Sequence, residues 1–184
     1  MSNAAESAAS EFSIYVDGSC LDNQNVTSET PAGWGFVVVS GDDGLGRGEG
    51  KIVFEANGSV VTESDTEDFI GAEVGSNNTA ELSALVHALR WLLVEGGDSS
   101  SRICGDSQYA LQIAQGRWQA KANLELARHV QELWSEVTTL RVLSGIHVRA
   151  HQGHRWNERA DHLAYRAMRR EQPLPLEFWK PGKR

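Results

Sequence analysis

A chain of 184 residues, 40% of them hydrophobic, is long enough for one domain with a sizeable core. It has no apolar run near the ~20 residues a membrane span needs, and its opening residues, MSNAAESAAS, lack the basic-then-apolar order of a secretory signal. Two cysteines make no disulfide framework and suit a reducing, cytoplasmic setting, while a net charge of −8 argues at first sight against a nucleic-acid partner.

Residues 1–11 read as a disordered leader. The alternating apolar run Phe12-Ile14-Val16 predicts a first strand, closed by Asp17. Beyond a turn-rich, acidic loop, Ala32 to Val39 (AGWGFVVV) predicts a second strand, followed by GDDGLGRGEG, a loop rich in glycine and charge. Ile52 to Ala56 and Ser59 to Thr62 flank Asn57-Gly58, a strong hairpin signal. A further short strand is expected from Phe69 to Val74. Leu82, Leu85, Val86, Leu89, Leu92 and Leu93 recur at helical spacing, which predicts a helix from Thr79 to Val94. Asn78 or Thr79 offers its N-cap and Gly96-Gly97 its stop. A strand over Arg102 to Gly105, helices over Ser107 to Gln115 and Ala122 to Leu140, a strand over Ile146 to Ala150 and a helix over Asn157 to Arg170 complete the body. Residues 171–184 form a proline-punctuated tail with a basic end, which either packs Phe178 and Trp179 onto the body or serves as a flexible attachment. Three strands followed by alternating helix and strand predict an α/β fold, a five-stranded mixed sheet flanked by helices.

Four acids stand out by position: Asp17 in YVDGS, Glu81 in NNTAEL, Asp106 in CGDSQYA and Asp161 in NERADHLA. Asp17 and Asp106 end strand patterns, while Glu81 and Asp161 lie in the opening turns of helical ones. Carboxylates gathered from such places can converge, and they repel one another unless cations neutralise them. Singly each has an ordinary reading: a turn at Asp17-Gly18, a cap at Asp106-Ser107, a dipole partner at Glu81, an ion pair from Asp161 to Arg159 or Arg166. Together they point to a divalent-metal site.

The stretches SIYVDGSCLDN, GSNNTAELSALVHAL, CGDSQYALQIAQG and VRAHQGHRWNERADHLA, in this order, resemble the type 1 ribonuclease H family over residues 12–170. The resemblance implies the ribonuclease H-like fold and an endoribonuclease that cuts the RNA strand of RNA–DNA hybrids, leaving 5′-phosphate and 3′-hydroxyl ends. It implies two Mg²⁺ ions, with Mn²⁺ as a substitute. Asp17 would bridge both, Glu81 and Asp106 would hold the one near the leaving oxygen, and Asp161 the one that orients the attacking water. All-oxygen ligands suit magnesium, and a pair of ions can activate water, stabilise the phosphate and support the leaving group. His151, in the loop before the last helix, matches the family's auxiliary proton-shuttling histidine. His154 is expected to order that loop or pack under it.

Recognition of 2′-hydroxyls needs short polar groups and backbone amides. Ser19, Cys20, Asn23, Asn77, Asn78 and Gln108 occupy stretches that match the family's substrate contacts. For the DNA strand, many relatives carry a basic, tryptophan-bearing extension. Here that interval is GRWQAKANLELA, where Arg117, Trp118 and Lys121 offer a reduced contact. Weaker, less salt-sensitive binding follows. The charge divides accordingly. Up to Ser101 there are three bases against 17 acids, and from Arg102 onward 14 bases against eight acids, so one side of the molecule can meet phosphates. The acidic insertion around residues 41–75 departs from the family pattern and, like the tail, offers a surface for a protein partner; the expected enzyme is a cytoplasmic monomer away from membranes. The alternatives are a non-catalytic hybrid-binding module or the ribonuclease H domain of a retroelement polyprotein. Against a proofreading exonuclease stands the first strand, which carries Asp17-Gly18-Ser19 rather than Asp-x-Glu.

Overall fold

The computed structural model describes residues 11–184, so the leader expected over residues 1–11 lies, apart from Glu11, outside the described residues. Five strands form one sheet: β1 (Phe12–Cys20), β2 (Ala32–Ser40), β3 (Lys51–Ser59), β4 (Ser101–Gly105) and β5 (Leu143–His147). Their order is β3-β2-β1-β4-β5, with β1, β2 and β3 antiparallel neighbours and β4 and β5 added in parallel. The helices are α1 (Asn77–Glu95), α2 (Gln108–Ala114), α3 (Leu124–Leu140) and α4 (Arg155–Met168). This is the five-stranded mixed sheet that the order of elements predicts.

The central strands β1 and β2 are buried on both faces, which accounts for their nearly continuous apolar runs. Alternation sends Ile14, Val16, Phe36 and Val38 into the larger core, shared with α1, α2 and α3. Tyr15, Val37, Val39 and Cys104 point the other way, where Trp156, Ala160 and Leu163 of α4 cover them. Helix α3 is amphipathic, burying Leu126, Ala127, Val130, Leu133, Trp134 and Val137 on one face. Helix α4 lies very close to the sheet because β2 carries Gly35 beneath it. A Cβ there would come 2.7 Å from the Ala164 amide nitrogen and 2.9 Å from the Ala160 carbonyl oxygen.

Several expectations are corrected. Asn57-Gly58 is not a hairpin turn, since β3 runs straight through it and the reversal lies at residues 41–50. The reason is tertiary: the Asn57 side chain donates 2.8 Å to the Leu163 carbonyl of α4, which keeps the strand extended. The strand expected over 69–74 is irregular chain that drops Ile70 and Ala72 into the core. Ser76, rather than Asn78 or Thr79, caps α1: its hydroxyl accepts from the Thr79 amide at 3.1 Å, and the Thr79 hydroxyl accepts from the Ser76 amide at 2.9 Å. Strand β5 begins three residues before the expected Ile146, because its parallel register pairs Leu143 with Ser101. No helix among the described residues is long and apolar enough to cross a membrane.

Candidate active site

Three elements deliver carboxylates to one end of the sheet. Val16 of β1 pairs with Gly105 of β4, so the next residues on these parallel strands, Asp17 and Asp106, end side by side. Glu81 comes from the second turn of α1, and Gly18 is what lets that helix approach. A Cβ on Gly18 would lie 2.5 Å from the Glu81 amide nitrogen and 2.7 Å from the Ala80 Cβ. Oxygen atoms of Asp17, Glu81 and Asp106 all lie within 4.8 Å of one another. Asp17 and Glu81 are buried, and the Gly18 amide donates 2.8 Å to Asp17 Oδ1.

Burial and mutual repulsion make this cluster costly without a cation. Burial first, then the charges of Glu81 and Asp106, hold the Asp17 carboxyl well above the usual carboxylate range. Glu81 is pushed up chiefly by burial, and Asp106 by burial and the charge of Asp161, partly offset by His151. Glu81 Oε2 is buried with no hydrogen-bond partner. An orphaned carboxylate oxygen within an all-oxygen cluster is the donor set a hard divalent ion prefers. The residues present therefore fit such a group.

Asp161 approaches from the opposite face, in the second turn of α4, and lines the same cleft of about 400 Å³ with Asp17, Glu81 and Asp106. It is not free there. Arg184 donates from Nε to Asp161 Oδ2 at 3.0 Å and from Nη2 to Oδ1 at 2.9 Å. His151 also edges the cleft, exposed and with a left-handed backbone (φ 54°). His154 packs against the buried Tyr15 ring, with 4.8 Å between ring centroids.

Ser19, Cys20, Asn77 and Asn78 line the acidic cleft. Asn23 reaches it indirectly, its side-chain oxygen accepting 3.0 Å from the Asn77 amide. Gln108 opens α2 as an exposed residue and does not line the cleft. Arg117, Trp118 and Lys121 gather around a second hollow with Tyr109 and Gln119. Asn78 belongs to both hollows, which joins the acidic cleft to this basic, aromatic one. Trp118 is 46% exposed, not a core residue. Cys104 lies under α4, away from the cleft.

Three residues near the site carry no sequence signal of their own. His147, at the end of β5, has Nε2 3.0 Å from the Asp106 carbonyl oxygen. His162, on α4, holds the fold-back of residues 171–184 through Leu174 and Lys183, and Arg184 ends that fold-back. Only the basic end of that segment hinted at the latter.

A sequence model of the RNase H family matches residues 9–169. The chain belongs to the ribonuclease H family. A Ribonuclease H of Cupriavidus necator is 32% identical over 168 residues, covering 86% of this chain and 95% of its own length. The RNase H1 of the halophilic archaeon Halobacterium salinarum shares the fold with a TM-score of 0.61 at 28% identity, over 87% of this chain and 98% of that one. LC11-RNase H1, solved in complex with an RNA/DNA hybrid, has a TM-score of 0.59 at 22% identity, over 86% of this chain and 97% of its own. Within this ribonuclease H fold, the carboxylates occupy the ends of the two adjacent central strands and the faces of the helices that flank them.

Proposed function

We propose that the protein is an endoribonuclease that hydrolyses the RNA strand of RNA–DNA hybrids, its catalytic domain spanning residues 12–170. The observation that carries this reading is the convergence of Asp17, Glu81 and Asp106 within 4.8 Å, on a family fold whose relatives bear the name Ribonuclease H. The hybrid bound by LC11-RNase H1 supports the same substrate here.

Asp17, Glu81, Asp106 and Asp161 would hold two Mg²⁺ ions, or Mn²⁺ in their place. Bound there, such ions supply an activated water and neutralise charge on the phosphate and the leaving oxygen. The chain does the rest. Asn77, Asn78, Ser19 and Cys20 line the rim where an RNA strand would place its 2′-hydroxyls. Asn23 fixes the Asn77 backbone, and Arg117, Trp118 and Lys121 receive the DNA strand by charge and stacking. His151, on its exposed loop, takes and returns a proton at an imidazole nitrogen. The products are 5′-phosphate and 3′-hydroxyl ends. Gln108, outside the cleft, would meet the hybrid only beyond the cleaved position.

The test is cleavage of one labelled sequence as RNA–DNA hybrid, duplex RNA, duplex DNA and single-stranded RNA, in Mg²⁺ and in EDTA. Only the RNA of the hybrid is expected to be cut, and only with metal. Asp106→Asn is expected to lower the rate at least ~100-fold, beyond the usual cost of an outer-shell partner. Hybrid binding without cutting in Mg²⁺ or Mn²⁺ would instead make the protein a binding module.

A further inference from the structure

The segment 171–184 turns back along α4 and is fastened at both ends by one side chain. His162 is fully buried, and its Nε2 accepts the Leu174 amide at 2.9 Å. Because Nε2 accepts, Nδ1 carries the proton and donates it to the Lys183 carbonyl at 3.0 Å. Between these points Trp179 is buried to 2% exposure, sits within 5.4 Å of the Arg159 guanidinium, and donates from its indole to Lys183 O at 2.9 Å. Arg159 also donates 2.8 Å to the Leu174 carbonyl. A loose appendage does not bury an indole or satisfy a core histidine twice. The strap is a built part of the fold.

Its end is delivered to the carboxylate cleft. Arg184 lies 4.9 Å from the Tyr165 ring centroid and grips both oxygens of Asp161 in a fork. The bonds to Asp161, with a weaker pull from Asp17, hold its guanidinium above the ordinary arginine value. The fork takes up a lone pair on each Asp161 oxygen, so a divalent ion approaching that side must compete with Arg184 for the carboxylate. The Arg184 side chain is also still 48% exposed, so the grip is a replaceable one.

We propose that Arg184 is an internal counter-cation that guards the Asp161 side of the cleft, and that divalent metal binding displaces it and loosens the strap. The proposal rests on the metal-holding reading above. It makes the metal requirement of the enzyme a property of the strap as well as of the four acids: the Asp17–Glu81–Asp106 side is open to an ion at once, while the Asp161 side is contested. A monovalent side chain matches one carboxylate's charge but cannot serve the whole cluster, so sufficient Mg²⁺ or Mn²⁺ wins by charge.

The experiment is calorimetric titration of the full chain with Mn²⁺ alone and with Mg²⁺ alone, for the wild type, Arg184→Ala and Trp179→Ala. Hydrogen exchange at residues 174–184 is followed in the same samples. Arg184→Ala is expected to tighten the weaker ion site about three- to fivefold, the scale of a partly exposed ion pair. Trp179→Ala, which frees the strap without touching Asp161, is expected to tighten it in the same direction. In the wild type, saturating Mn²⁺ is expected to speed exchange at the Leu174 amide. Equal affinity in the wild type and Arg184→Ala would overturn the proposal while leaving the metal site standing. Absence of any divalent binding in all three proteins would remove the metal-holding reading and this proposal with it.

Discussion

At the scale of single residues, the chemistry depends on one position that carries none. Gly18 lets β1 and the start of α1 touch backbone to backbone, which places Glu81 beside Asp17. Gly18→Ala is expected to cost about 1–3 kcal/mol by overpacking against an amide that cannot step aside. Urea denaturation checks the stability loss, and hybrid cleavage should fall in parallel as Glu81 is pushed away. The sequence showed Asp17, Glu81, Asp106 and Asp161 plainly, because a carboxylate is visible as a letter and its neighbours fix its element. It did not show why glycine follows Asp17, since Asp-Gly reads as a turn until the facing helix is in place. Nor did it show that Asp161 is already engaged. Asp161 and Arg184 are joined by a fold-back with no periodicity to read.

At the scale of elements, the four helices and strands β1, β2 and β4 fall where the sequence predicts them, whereas it predicts β3 in two pieces, a strand over 69–74, and β5 three residues late. The failures share a cause. Asn57-Gly58 has the local chemistry of a turn, but a tertiary bond to α4 keeps β3 extended, and Ile70 and Ala72 are apolar without being paired. Local signals predict local structure, and these segments answer to distant partners. The packing of β2 against α1 makes a measurable case. His87 of α1 stacks on Trp34 of β2 with ring centroids 3.8 Å apart, and burial pushes its imidazole down to about 4. Folding favours the neutral ring, so this contribution is intact above the free-imidazole value of ~6.5. It is lost progressively as pH falls from ~6.5 to about 4, the window in which the unfolded chain holds the extra proton and the folded ring does not. Thermal melts taken from neutral pH downward should show a steeper fall for the wild type than for His87→Phe. Parallel curves would mean the ring titrates freely.

At the scale of the whole molecule, the uneven charge of the two halves is legible as a count of letters, and its use is local. The hollow beside the cleft is lined by just two cationic side chains, Arg117 and Lys121, with Trp118 between them. Hybrid binding should therefore weaken only gently with salt. Lys121→Ala is expected to lower the slope of log affinity against log salt by ~1, uniformly across sequences, as the loss of one phosphate contact does. Fluorescence anisotropy over a salt series measures it, and an unchanged slope would place the DNA strand elsewhere. The close seating of α4 on the sheet has a wider reach. Gly35 sits opposite Asp17 on the neighbouring strand, directly under the helix that carries Asp161. Any side chain there must lift the helix, and with it one wall of the cleft. In a saturation library scored by turnover, position 35 will therefore tolerate as little variation as a metal ligand, although it has no atom to offer the reaction.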